Sequence, residues 1–152
     1  MIALRALVSV IILPVTAAVL LPWLFLGQPA LPEGWARIGL VPLGVGLALF
    51  LWCVVLFAMR GRGTLAPWDP PRRFVAAGPY RVVRNPMYVG VGLVIAGEAI
   101  LFGSWTLALY LVVIGIVWHL FVLTYEEPTL EREFGEEYRA YRAHVPRWVP
   151  RP

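Results

Sequence analysis

The stretch Gly78-Pro79-Tyr80-Arg81-Val82-Val83-Arg84-Asn85-Pro86-Met87-Tyr88-Val89-Gly90 is polar, cationic and rich in turn formers, and an apolar run follows it directly. Asn85 precedes a proline, which disfavours the α region there. Pro86 has no amide to donate and suits the first turn of a helix. A helix start leaves amides unpaired, and Asn85, Tyr80 and Tyr88 add the polar and aromatic contacts that a nucleoside takes. The same residues also suit a plain helix entry with Arg and Tyr anchors at a membrane interface.

A second polar cluster, Glu126-Glu127, stands where the last apolar run ends. A helix C-terminus favours cations, so a solvated carboxylate pair gains nothing from the dipole. Neighbouring helical side chains diverge by about 100°, so the two carboxylates have separate tasks, and one of them is free to face a pocket and bind an ammonium group. If the apolar residues between the clusters fold as a helical hairpin, both clusters meet at one membrane face. Glu98 lies inside an apolar run, where an ionisable group is a candidate for function, but its nearness to a turn favours a structural role. His119 reads as a hydrogen-bonded interior residue. Cys53 is a single cysteine, which excludes an internal disulfide, and it reads as a small buried hydrophobe. His119 and His144 have no Cys or His neighbours at ligand spacing, so no metal site is expected.

The elements that must position these groups are set by composition. The chain has 152 residues, of which 60% are hydrophobic, and a mean hydropathy of +0.75. Soluble domains lie nearer about 45–50% apolar, so an all-α integral membrane protein is expected, with its active site built from helix ends and loops. The thirteen basic residues are all Arg and give a net charge of +4. They flank the apolar spans, which points to anionic headgroups and the positive-inside bias, with membrane lipids and no nucleic acid as partners.

Apolar runs predict about four transmembrane helices, at 6–26, 38–59, 88–102 and 105–124. The first exceeds the usual apolar length of a signal peptide and reads as a retained helix. The basic segment 60–87 and the tail 125–152 fall on the cytoplasmic side, with both termini. The third run, at the helical rise, reaches about 22 Å, short of the roughly 30 Å hydrocarbon core. Gly90, Gly92 and Gly97 allow close helix contact and leave room for a lipid-facing pocket between the third and fourth helices. After Glu127, Pro128 suits the start of a new helix. There Leu130, Phe134, Tyr138, Tyr141 and Val145 form one face of a cytoplasmic amphipathic helix, either lying on the membrane or folded back as a lid. The whole chain reads as one domain.

Gly78-Pro79-Tyr80 and Arg84-Asn85-Pro86-Met87-Tyr88-Val89-Gly90 resemble the isoprenylcysteine carboxyl methyltransferase family. So do Glu126-Glu127, Leu130, Phe134-Gly135-Glu136-Glu137-Tyr138, Tyr141 and Val145-Pro146-Arg147. The similarity covers about half the chain, and related signatures occur in phospholipid N-methyltransferases and membrane sterol reductases. The resemblance implies a methyltransferase that uses S-adenosyl-L-methionine on a lipophilic small-molecule or lipid acceptor. It implies a multi-pass protein of a bacterial inner membrane with the active site facing the cytoplasm. By position, Arg73, Phe74 and Val75 would line the cofactor through their backbone. Tyr80, Asn85, Pro86, Met87 and Tyr88 would surround its nucleoside and methionine portions, and Glu126 would hold its ammonium group. Asn85 stands where the family usually has His, and Val122 lies near the place of a substrate-binding Arg in eukaryotic prenylcysteine enzymes. These departures weigh against a titrating group at Asn85 and against recognition of a prenylcysteine carboxylate. The resemblance assigns no catalytic residue. A non-catalytic membrane scaffold and a sterol-type reductase are the readings of other classes, and cofactor binding separates them.

Overall fold

The computed structural model describes residues 11–26, 34–57, 59 and 74–150, and those residues are helices joined by turns, with no strand among them. Helix α1 is wound with wide π turns over Ile11–Leu20 and continues as α-helix over Leu21–Leu26. Helix α2 opens with a tight 3-10 stretch at Gly34–Gly39 and runs on through Leu40–Leu56. A 3-10 turn at Gly78–Arg81 leads to α3, Pro86–Leu101. Helix α4, Trp105–Phe121, passes through a π-wound turn at Val122–Glu126 into α5, Glu127–His144.

Two helical stretches are long and apolar enough to cross a membrane, Gly34–Leu56 and the one beginning at Trp105; Val15–Leu24 and Pro86–Leu101 are shorter apolar helices. Helix α4 exposes Leu109, Val112, Val113, Ile116, Val117 and Leu120 as a continuous apolar stripe. In water that stripe would be a large unpaid liability; against acyl chains it is solvated.

The closest packing joins α2 and α3. Gly39 and Gly46 are seven residues apart on α2, and Gly90 and Gly97 are seven apart on α3. The pairs meet in antiparallel register: a Cβ added at Gly46 would lie 2.5 Å from the Gly90 carbonyl oxygen, and one added at Gly39 would lie 2.5 Å from that of Gly97. Small residues let membrane helices gain dispersion contacts backbone to backbone, where no hydrophobic force drives them together. Gly90 and Gly97 therefore leave no room between α3 and α4, contrary to the expectation from sequence. Gly92 alone of the three faces α4, near Leu111 and Trp118. Beside the glycine seam, Phe50, Val91, Ile95 and Ala18 form a buried core, with Met87, Tyr110 and Trp118 packed around it. Tyr110 donates its hydroxyl hydrogen to the Ala17 carbonyl at 2.9 Å and ties α4 to α1.

Two further expectations change. The chain does not restart a helix after Glu127, because α4 and α5 are continuous. Pro128 cannot donate to the carbonyl one turn back, and the turn before it widens so that the Glu127 amide reaches the Val122 carbonyl instead. The Thr124 hydroxyl also bonds back to the Leu120 carbonyl at 2.8 Å. The second change is a break inside α5. Gly135 has φ 52°, which kinks the helix between Phe134 and Tyr138 and is tolerable because glycine has no Cβ.

Candidate functional site

The N-terminal end of α3 and the C-terminal end of α4 meet the tail after α5, near the Gly78–Arg81 turn. Asn85 caps α3 from outside the helical region (φ −123°) and Pro86 follows as its first residue, as the X-Pro constraint requires. One turn into α3, the Tyr88 hydroxyl donates to Glu126 Oε2 at 3.2 Å. This contact joins the two polar clusters that lie far apart in sequence. The Tyr88 ring packs on Trp118 of α4, centroids 5.4 Å apart, and on Trp148 of the tail, 6.2 Å apart.

Glu126 and Glu127 have different surroundings. Glu126 faces Tyr88 and the aromatic rings. Loss of water pushes its carboxyl up to about 7, the Tyr88 hydrogen bond opposes that, and the charge of Glu127 adds to it. Glu127 is buried and accepts from Arg147 Nε at 2.7 Å and from Arg147 Nη2 at 3.0 Å, while Arg84 Nη1 lies 3.0 Å from its Oε1. Two guanidinium groups around one carboxylate join the tail to the segment that leads into α3. The widened turn at Val122–Glu126 sets the direction of both side chains.

The other expected site residues spread around this centre. Asn85 is buried and its amide Nδ2 donates to the Arg147 carbonyl at 3.2 Å; the Arg84 amide donates to the Pro146 carbonyl at 2.8 Å. The Asn85 amide thus anchors the tail. Pro86 is fully buried, and Met87 packs on the core under the site. Tyr80 is buried with its ring edge-on to Phe57 at 5.4 Å and its hydroxyl hydrogen-bonded with the Cys53 thiol. Burial first, then Cys53, holds the Tyr80 phenol well above its ordinary range, with a smaller push from the charge of Glu126. The Tyr80 carbonyl accepts from the Tyr141 hydroxyl at 2.5 Å. Phe74 places its ring among Phe134, Tyr138 and Tyr141, with centroids 5.4, 5.9 and 4.9 Å away. Val75 is buried in the same extended segment. Arg73 lies outside the described residues.

The apolar face of α5 is therefore covered by the chain itself through Phe74, and Tyr138 is 2% exposed. Sequence reasoning missed Arg84, Trp118, Arg147 and Trp148 as parts of the site. His119 was read as hydrogen-bonded, and it is: Trp148 Nε1 donates to its Nδ1 at 2.9 Å. Val122 is 1% exposed, which leaves that position inside the protein.

A half-buried carboxylate, a phenol and two indole rings suit a cation of mixed polar and aromatic character. S-adenosylmethionine carries an ammonium, a sulfonium and a purine, so this donor set fits it. Among known families, the model of the phospholipid methyltransferase family aligns with residues 37–137. That span covers two thirds of the chain and includes Tyr80, Tyr88 and Glu126, but ends before the tail. No curated protein and no solved structure matches.

Proposed function

This chain belongs to the phospholipid methyltransferase family, and on that premise we propose that it is a multi-pass membrane methyltransferase that uses S-adenosylmethionine. The apolar helices and the family together make it a membrane protein of methyltransferase type. Four crossings with cytoplasmic termini, a membrane hairpin of α3 and α4, and a single catalytic domain complete the reading. The contact that carries it is the one between Tyr88 and Glu126, because it gives the half-buried carboxylate a fixed direction beside aromatic rings.

In this reading Glu126 takes the cofactor's ammonium group, and Tyr80, Asn85, Pro86, Met87 and Tyr88 enclose its nucleoside and methionine portions. Phe74, Val75 and Arg73 contribute backbone from the loop. The cofactor, when bound, supplies an electrophilic methyl group. The protein's own task is positioning. Trp118, Tyr88 and Trp148 keep water away from the region around Glu126, which strengthens the charge contact there. The tail, held by Glu127 and Asn85, closes the cytoplasmic side. Holding donor and acceptor in line accounts for a large part of the acceleration in such a displacement.

The acceptor is a lipophilic molecule that enters from the bilayer. A phospholipid amine fits the family no worse than a small lipophilic acceptor. A prenylcysteine carboxylate, the substrate of the isoprenylcysteine carboxyl methyltransferase relatives, fits less well, because Val122 offers no cation. Calorimetric titration of the detergent-purified chain with S-adenosylmethionine tests the cofactor reading. Glu126→Gln is expected to weaken binding by about tenfold to a hundredfold, the weight of a charge-assisted contact, with no fall in melting temperature. Equal affinity in the two proteins removes Glu126 from the site.

A further inference from the structure

We infer that His119 and Trp148 are positioning residues that act through Tyr88 to orient Glu126. The inference rests on the reading that Glu126 receives the cofactor's ammonium group.

The contacts run in one chain. His119 Nδ1 accepts from Trp148 Nε1 at 2.9 Å. The Trp148 ring stands at 72° to the Tyr88 ring, with centroids 6.2 Å apart. Tyr88 also packs on Trp118, at 5.4 Å and 48°, and its hydroxyl reaches Glu126 at 3.2 Å. Trp118 and His119 are neighbours on α4, and their side chains diverge by about 100°. The Trp148 indole packs against both the His119 and the Tyr88 rings and so forms one wall beside Tyr88.

The polar atoms need each other. A histidine in an apolar span is costly unless paired, and a half-buried indole N–H seeks an acceptor. In the neutral ring, the donation from Trp148 puts the imidazole proton on Nε2.

The tail's backbone does not depend on this bond. The Arg84 amide holds the Pro146 carbonyl, Asn85 holds the Arg147 carbonyl, and Glu127 holds the Arg147 guanidinium. What the His119 bond fixes is the rotation of the Trp148 ring. Losing it lets the indole turn, Tyr88 loses one wall, and the phenol can leave Glu126 while the fold stays intact. A role confined to tail docking predicts the opposite pattern, a loss of stability with cofactor affinity unchanged.

The experiment is a set of S-adenosylmethionine titrations on the full chain in nanodiscs, with a thermal melt of each cofactor-free variant. His119→Phe is expected to weaken binding by about threefold to tenfold, the weight of one neutral hydrogen bond, with its melt near that of the wild type. His119→Asn, whose side-chain oxygen can stand near the Nδ1 position, is expected to restore most of the affinity. In a Glu126→Gln background, His119→Phe is expected to add little, because the two act on the same contact. An equal His119→Phe penalty with and without Glu126 overturns the inference, as does wild-type affinity in His119→Phe. Failure of the wild type to bind S-adenosylmethionine overturns the cofactor reading and the inference together, so the two failures are distinguishable.

Discussion

Toward α2, helix α3 presents Gly90 and Gly97, where an added Cβ would come as near as 2.9 Å and 2.6 Å to its neighbours. Toward α4 and the tail it presents Tyr88 and Gly92, and an added Cβ at Gly92 would find its nearest neighbour 3.7 Å away. One helix thus joins two kinds of interface. On the α2 side the glycines bring the two backbones together, and the interface holds by that proximity. The α4 side is built from large rings, a carboxylate and a hydroxyl, and its neighbours at Gly92 stand at ordinary van der Waals distance.

The strongest way to break the second interface while sparing the first is Glu127→Ala. It strips two guanidinium groups of a buried partner, a change of the class that costs about 3–5 kcal/mol. The expected result is a lower melting temperature and faster trypsin cleavage after Arg147. A melt equal to that of the wild type would mean that the ion cluster does not hold the tail.

The first interface should break with Gly97→Ala or Gly46→Ala, which drive a methyl group into the backbone of the facing helix. Overpacking of this kind costs about 1–3 kcal/mol. Thermal unfolding in detergent should show it, with cofactor affinity falling only as the folded fraction falls.

Acidity probes the α4 side without a mutation. The Glu126 carboxyl is pushed up to about 7 from 4.5, chiefly by loss of water. Its raised value means that the folded, cofactor-free protein keeps a proton that the unfolded chain has released. That contribution to stability is full below about pH 4.5 and is lost as pH rises through about 7. Ligand binding has the reverse sign, because an ammonium group needs the charged carboxylate. Affinity for S-adenosylmethionine should rise roughly tenfold between about pH 6 and about pH 8, and Glu126→Gln should flatten the profile. A flat profile in the wild type would separate Glu126 from the ligand.

Gly92→Ala should do least. Its Cβ would find ordinary van der Waals distance at Leu111 and Trp118, so the melt should stay within about 0.5 kcal/mol of the wild type. A penalty equal to that of Gly97→Ala would erase the contrast between the two faces of α3.

Much of this was legible in the residues alone. Length and hydropathy required apolar helices, the Asn85-Pro86 pair fixed the start of α3, and the motif spacing made Tyr88 and Glu126 candidates for one site. The seven-residue spacing of the glycines was visible too, but spacing does not say which neighbour the glycines face. That depends on the rotation of α3 about its axis, set by packing against α2. The break at Gly135 and the continuity across Glu127-Pro128 were hidden as well, because local propensity is overridden when a wider turn can re-pair the amides.

What the sequence determined was a membrane protein with helices of given length and a polar cluster at the ends of two of them, since hydropathy and turn chemistry are local. What the tertiary structure decided was the division of labour between adjacent carboxylates and the recruitment of Arg84, Arg147 and Trp148. The Glu126 and Glu127 side chains leave a single helix in different directions, and their neighbours come from segments distant in the chain. Their burial and their partners therefore exist only once α3, α4 and the tail have met.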